Sequence, residues 1–282
     1  MAGTLYIVAT PIGNLEDITF RALRVLREVD LIACEDTRHT RKLLNHYAIN
    51  KRTISYHEHN EKQRAVELIE LVRGGKNVAV VSDAGTPGIN DPGFRVVQLA
   101  LENDISVVSV PGPSAVISAL VSSGLPTDQF FFAGFLPARA STRRSRLLEL
   151  CSIPATLIFF EAPHRIHQTL KDAEEILGDR AAVVARELTK LHEQLLRGTL
   201  SVLAQQLSTK DLARGEIVLM IDRDRKGAAA MQTNKVAAVV ASFEAEGLDS
   251  RMALKKAARE LGLSRDETYR RLVAETGRQA KR

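Results

Sequence analysis

Between Val78 and Phe94 the chain reads VAVVSDAGTPGINDPGF, and this segment carries the clearest ligand-binding chemistry. Val78–Val81 is an apolar run of the length of a strand buried on both faces. Ser82–Ile89 is too rich in glycine and proline to continue it. Glycine lets a ligand approach the backbone, and proline holds the loop in shape before the ligand arrives. Asp91 is expected to cap a helix over Gly93–Glu102, with Pro92 at its first position. The result is a turn at the carboxyl end of a buried strand, where open α/β sheets bind their ligands.

Two more elbows have the same make-up. Thr10-Pro11-Ile12-Gly13-Asn14 follows an apolar run, and Pro111-Gly112-Pro113-Ser114 follows another and opens a helix. Ser114 and its neighbours would present backbone N–H groups to a carboxylate or phosphate. The three elbows are expected to line one crevice. Neither GxxxxGK[ST] nor a GxGxxG after the first strand is present, which argues against a P-loop and against an ordinary dinucleotide site.

A different chemistry sits in ARASTRRSR, where Arg139, Arg143, Arg144 and Arg146 stand beside Ser141 and Thr142. That composition suits phosphate. The bland alternative is a solvated helix start, but cations are disfavoured at that end of a helix, so the cluster is expected to meet RNA. His57-Glu58-His59 reads as a polar loop rather than a metal site, and Cys34 and Cys151 are too far apart for metal spacing.

These residues need elements to position them. Thr4–Ala9, Leu31–Cys34, Thr53–Tyr56, Val78–Val81 and Ser106–Ser109 read as strands. Between and after them Ile18–Glu28, Arg38–Tyr47, Glu61–Arg73, Gly93–Glu102 and Ser114–Ser123 have helical spacing. This alternation predicts a mostly parallel sheet with helices. A second set follows, with strands Phe130–Ala133, Thr156–Phe160, Ala181–Ala185, His192–Arg197 and Glu216–Ile221, and helices Thr142–Cys151, His164–Leu177 and Ser201–Ser208. The fold class is therefore α/β, with an N-terminal lobe over 1–125 and a C-terminal α/β lobe over 126–222 meeting near Leu125–Gln129. A charged linker, Asp222–Lys226, leads to a basic helical module over 227–282. There Arg251–Leu261 reads as a helix, Gly262 as its stop, and Ser264–Glu267 as a capping box for the next helix. The module fits either a helix-turn-helix or a small bundle packed on a lobe or a second subunit.

Composition narrows the partners. Charged (26%) and apolar (45%) fractions are those of a soluble globular protein, and no apolar run is long enough for a membrane span. The N-terminus enters a strand without an export signal, and two thiols without metal spacing fit a reducing cytoplasm. Residues 1–221 hold 25 Lys/Arg and 25 Asp/Glu, whereas residues 222–282 hold 14 and 9, so the tail carries the whole net charge of +5. A neutral body with a basic tail points to a polyanionic partner.

Seven motifs in order resemble the ribosomal RNA small-subunit methyltransferase I family, within the tetrapyrrole-methylase superfamily. They are TLYIVATPIGN (4–14), CEDTR (34–38), SDAGTPGINDPG (82–93), VPGPSA (110–115), GFLP (134–137), FEAPHR (160–165) and ARELTK (185–190). The resemblance runs to about Asp222 and is weaker in the tail. It implies a cytoplasmic enzyme of homodimeric form that transfers methyl from S-adenosylmethionine to the ribose 2′-oxygen of a cytidine in 16S rRNA of the small ribosomal subunit. It implies a cofactor cleft between two lobes. Pro11 would border the cofactor, with Asp83, Ala84, Gly85 and Thr86 on its methionine or ribose part and Ser114 and Ala115 beneath. Phe160, Glu161 and the region of Glu187 and Leu188 would enclose the adenine. Relatives acting on tetrapyrroles carry GxGxGD in the first elbow; TPIGN here fits another substrate.

Methyl transfer from a sulfonium is an in-line displacement whose reactive atom belongs to the cofactor, so the protein must align the reactants and needs no metal. A ribose hydroxyl calls for a base or strong acceptor nearby. Asp36, His164, Glu187 and Lys190 are the candidates at strand ends, with Arg38, Arg165 and Arg186 beside the Arg139–Arg146 cluster as phosphate holders. For each the bland alternative is an ordinary salt bridge. Two other functions compete: a methylase of the same fold acting on a tetrapyrrole or a protein side chain, and a ligand-sensing regulator whose tail binds DNA.

Overall fold

The computed structural model describes residues 2–208, 215–223, 236–261 and 263–276. The N-terminal lobe is built on strands β1 (Thr4–Val8), β2 (Leu31–Cys34), β3 (Thr53–Ser55), β4 (Val78–Val81) and β5 (Ser106–Val110). They form one sheet in the order β3-β2-β4-β1-β5, with every pairing parallel. β2 and β4 are buried at every position, as their unbroken apolar runs require. Helices α1 (Phe20–Glu28), α2 (Thr37–His46), α3 (Glu61–Arg73), α4 (Phe94–Glu102) and α5 (Ala115–Ser123) connect or follow the strands. Leu23, Leu26 and Leu43 pack on one side of the sheet, and Leu68, Val72 and Val96 on the other.

The second lobe holds β6 (Phe130–Phe135), β7 (Thr156–Glu161), β8 (Ala181–Arg186), β9 (Gln194–Thr199) and β10 (Ile217–Ile221), in the order β6-β7-β10-β8-β9. Only β6 and β7 pair in parallel; the other three pairings are antiparallel. Helices α6 (Ala140–Leu150), α7 (Ile166–Leu177) and α8 (Leu200–Gln206) cover it, and Leu147, Leu170 and Leu203 are wholly buried there. A seam of Ile12, Val116 and Leu120 from the first lobe packs with Ile158, Val218 and Met220 from the second.

Several expected elements differ at their ends by one or two residues, among them α1, β6, α6 and α7, and two of the differences have a clear local cause. The strand placed at His192–Arg197 starts two residues later, because Glu187 and Thr189 adopt positive φ (49° and 65°) and the chain turns through Leu188–Glu193. Helix α4 begins at Phe94 with Gly93 at its cap (φ 155°), not with Asp91. A Cβ on Gly93 would lie 2.8 Å from the Gly88 nitrogen, so only glycine lets the loop fold back on itself there. Asp91 is thereby released from helix capping.

In the tail a helix over 236–245, here α9, precedes α10 (Ser250–Glu260) and α11 (Arg265–Thr276). Val236, Val240 and Phe243 pack against Ala253, Leu254 and Ala257. Asp249 caps α10 through the Met252 N–H at 2.7 Å, and the Ser264 hydroxyl accepts from the Glu267 N–H at 3.2 Å, the first half of the capping box. The expected stop at Gly262 and linker residues 224–226 lie outside the described residues.

Candidate functional site

The three elbows meet. The Thr10 N–H donates to the Gly85 carbonyl at 2.8 Å and the Gly85 N–H returns a bond to Thr10 at 3.0 Å. The Thr10 hydroxyl adds a bond to the Ser82 carbonyl. Gly85 (φ 79°) lies close to Ile12 and Pro113, bringing the third elbow alongside. The first elbow also presses on the second lobe. A Cβ on Gly13 would stand 2.5 Å from the Lys190 side chain and 3.0 Å from the Leu188 carbonyl, and the Asn14 N–H donates to the Thr189 hydroxyl.

Between the lobes lies a cavity of about 360 Å³, a volume suited to a small-molecule ligand. Its first-lobe wall runs from Ile12 through Ala84–Thr86 and Ile89–Asp91 to Ser114–Val116. The facing wall comprises Phe135, Phe160–Pro163, Leu188 and Gly215–Val218. Of the cofactor candidates, Ala84, Gly85, Thr86, Ser114, Ala115, Phe160, Glu161 and Leu188 are on these walls. Pro11 and Asp83 are not: Pro11 is buried away from the walls, and Asp83 accepts the Asp36 N–H at 3.0 Å. Ser114 caps α5, setting Ala115 and Val116 at the helix start against the cavity.

Sequence reasoning missed Asp91, which it had given to the helix. Asp91 is half-buried on the cavity wall, and burial, with Glu35 adding like charge, pushes its carboxyl up to about 6. Gly215–Val218 and Phe135 were also missed. They reach the cavity through the β10 and β6 positions in the sheet, which no local motif announces.

The acid–base candidates separate by their partners. Asp36 caps α2 and is gripped by the Arg38 guanidinium and N–H, which hold its carboxyl far below the usual range. That makes it a helix cap, not a base. Glu187 accepts from the Glu216 N–H at 2.9 Å and from Lys190 Nζ at 3.0 Å, and both lower its pKa. Lys190 is partly desolvated, yet Glu187 and Glu216 raise its pKa and keep it an ammonium. Neither member of this pair is set up as a base. His164 lies in a 3-10 turn beside Ala162 and Pro163 of the wall; its own side chain is exposed.

The arginine cluster does not act as one surface. Arg143 is 3% exposed, with Nη2 2.6 Å from Asp172 and Nη1 on the Pro137 and Ala138 carbonyls. It turns inward to hold the start of α6, which removes the apparent conflict with the helix dipole. Arg144 bridges Asp172 and Glu175, and Arg146 pairs with Glu149. Arg139 is exposed at the cap position of α6. Arg165 is anchored on Glu161, whose buried carboxylate also takes the Ala162 N–H and the Thr169 hydroxyl. Arg186 is buried at the end of β8, and Arg38 is exposed but paired with Asp36.

Comparison with known proteins agrees with this architecture. Residues 4–204 match the family model for tetrapyrrole (corrin/porphyrin) methylases. The chain is 45% identical over 278 residues to ribosomal RNA small subunit methyltransferase I of Micromonospora olivasterospora, covering 98% of this chain and 88% of that protein. It is 50% identical over 222 residues to the protein of the same name from Pseudomonas aeruginosa, covering 78% and 79%. Among solved structures, uroporphyrin-III C-methyltransferase from Thermus thermophilus, complexed with S-adenyl homocysteine, superposes with a TM-score of 0.55 at 18% identity, covering 78% of this chain and 97% of that one.

Proposed function

The chain belongs to the tetrapyrrole-methylase family and, within it, to the ribosomal RNA small subunit methyltransferase I group, and from that premise we propose that it methylates the ribose 2′-oxygen of a cytidine in 16S rRNA, using S-adenosylmethionine. The interlobe cavity carries this reading. Its apolar side, formed by Ile12, Phe160, Leu188, Ile217 and Val218, suits a flat base. The Asp91 carboxylate suits an ammonium group, and the start of α5 suits a carboxylate. When bound, the cofactor supplies an electrophilic methyl group. The chain's residues hold the reactants in line and keep water away. Among the four acid–base candidates, His164 is the one without an ion pair among the described residues, and we assign it the ribose proton. Exposed Arg38 and Arg139, with Arg165 seated on Glu161, are proposed to hold phosphates.

Two copies are proposed to associate through the exposed apolar faces of α4 (Phe94 74%, Leu101 62% exposed) and α5 (Ile117 47%, Val121 70%). Disrupting them with Phe94→Ser and Val121→Ser should yield monomers in sedimentation. No described helix is long and apolar enough to cross a membrane, and from the rRNA substrate we infer work in the cytoplasm.

The test is transfer of labelled methyl from S-adenosylmethionine to free 16S rRNA, to small subunits and, as competitor, to a uroporphyrinogen. Label should enter the RNA alone. Label in the tetrapyrrole alone would give the substrate to the other branch of the family.

A further inference from the structure

The described cations of the tail fall into two groups. Lys256 pairs with Glu246 and lies over the Phe243 ring, and Arg270 and Arg271 both pair with Glu267. Arg265, the first residue of α11, is exposed without an ion pair among the described residues, and so are Arg251, Lys255 and Arg259 on α10. Their spacing is i, i+4 and i+8 along α10, opposite Ala253, Leu254 and Ala257, which are buried against α9. At about 1.5 Å per residue they form a line about 12 Å long with a charge every 6 Å or so. Like charges four apart oppose helix formation, so the helix itself gains nothing from this arrangement.

From this we propose that α10 is a phosphate-tracking helix: Arg251, Lys255 and Arg259 lie along one strand of rRNA and hold the tail to the substrate without reading its bases. This rests on the rRNA reading above and adds the element and residues responsible. In an ordinary helix-turn-helix the second helix enters the groove. Here α11 occupies that position, yet Arg270 and Arg271 share the single carboxylate of Glu267, and Asp266 is exposed beside Arg265 at its start. The row of cations unpaired among the described residues is on the preceding helix, and α11 adds a single one, Arg265, at its start.

The experiment measures binding of the full chain to 16S rRNA across a salt series, for wild type, the triple variant Arg251→Ala, Lys255→Ala, Arg259→Ala, and Arg270→Ala. Each released phosphate contact lowers the slope of log K against log salt by about 0.7 for single strands and 0.9 for duplex, so the triple variant should lose about 2 to 3 from the slope. Its RNA affinity should fall at least tenfold at low salt, equally for unrelated RNA sequences, with S-adenosylmethionine affinity and helix content unchanged. Arg270→Ala should behave as wild type. An unchanged slope in the triple variant overturns the proposal, as does a larger loss from Arg270→Ala. Loss of binding to small subunits but not to naked rRNA would assign the stripe to a protein partner and also overturn it. Failure of the wild type to bind rRNA at all would instead remove the functional reading beneath it.

Discussion

Arg143 and Asp91 show how a side chain's type and its role diverge. Arg143 stands in the most RNA-like stretch of the lobes, yet it is sealed against Asp172, itself 2% exposed. Removing Arg143 takes the buried partner from Asp172 and leaves that desolvated carboxylate with only the half-exposed Arg144 as an ion pair among the described residues. Arg143→Ala should therefore cost about 3–5 kcal/mol in denaturant unfolding, whereas joint replacement of Arg143 by Met and Asp172 by Leu should recover most of it. Arg139→Ala, at an exposed position, should leave stability within about 0.5 kcal/mol. Asp91 makes the opposite case, a helix cap in sequence terms that lines the cavity instead. Its carboxyl stands at about 6 because burial, then Glu35, disfavours the charge. A cationic ligand favours the ionised form and draws that pKa down. Affinity for S-adenosylmethionine should thus be flat above pH 7 and fall below 6, by up to about tenfold per pH unit. Calorimetry from pH 5 to 8 checks this, and Asp91→Asn should bind weakly with that dependence gone.

At the scale of elements, the elbows do the positioning. Gly93 permits the fold-back that frees Asp91, and a methyl group there meets the Gly88 backbone rather than a movable side chain. Gly93→Ala should weaken cofactor binding more than tenfold, read by the same calorimetry, while the sheets survive in circular dichroism. Gly13→Val should likewise force the first elbow away from Leu188 and Lys190 and loosen the seam between lobes. Much of this level was legible from sequence. Apolar runs such as Val78–Val81 and Leu31–Cys34 coincide with β4 and β2, because a strand buried on both faces has no room for polar residues. The three elbows were visible because glycine and proline mark turns locally. What stayed hidden depends on contacts distant in sequence. The antiparallel insertion of β10 between β7 and β8 brings Gly215–Val218 to the cavity, and Asp172 captures Arg143 from 29 positions away. Glu187 and Lys190 looked like bases until Glu216 closed the pair from β10's leading edge.

Across the whole molecule, labour is divided by charge. The lobes are neutral in sum and enclose a cavity for a small ligand; the tail carries the net +5 and an unneutralised line of cations on α10. Removing residues 227–282 should leave S-adenosylmethionine affinity within about twofold while rRNA affinity falls by an order of magnitude or more, as filter binding would show. A regulator of the DNA-binding kind would transfer no methyl group in either form. In this reading the interlobe cavity delivers methyl to a ribose oxygen of small-subunit rRNA. Its most direct test is nucleoside mass spectrometry of unmethylated small subunits after incubation with the full chain and isotopically labelled S-adenosylmethionine. A single labelled product, 2′-O-methylcytidine, is expected from one position of 16S rRNA; label on a base, or no label in RNA at all, would overturn this function.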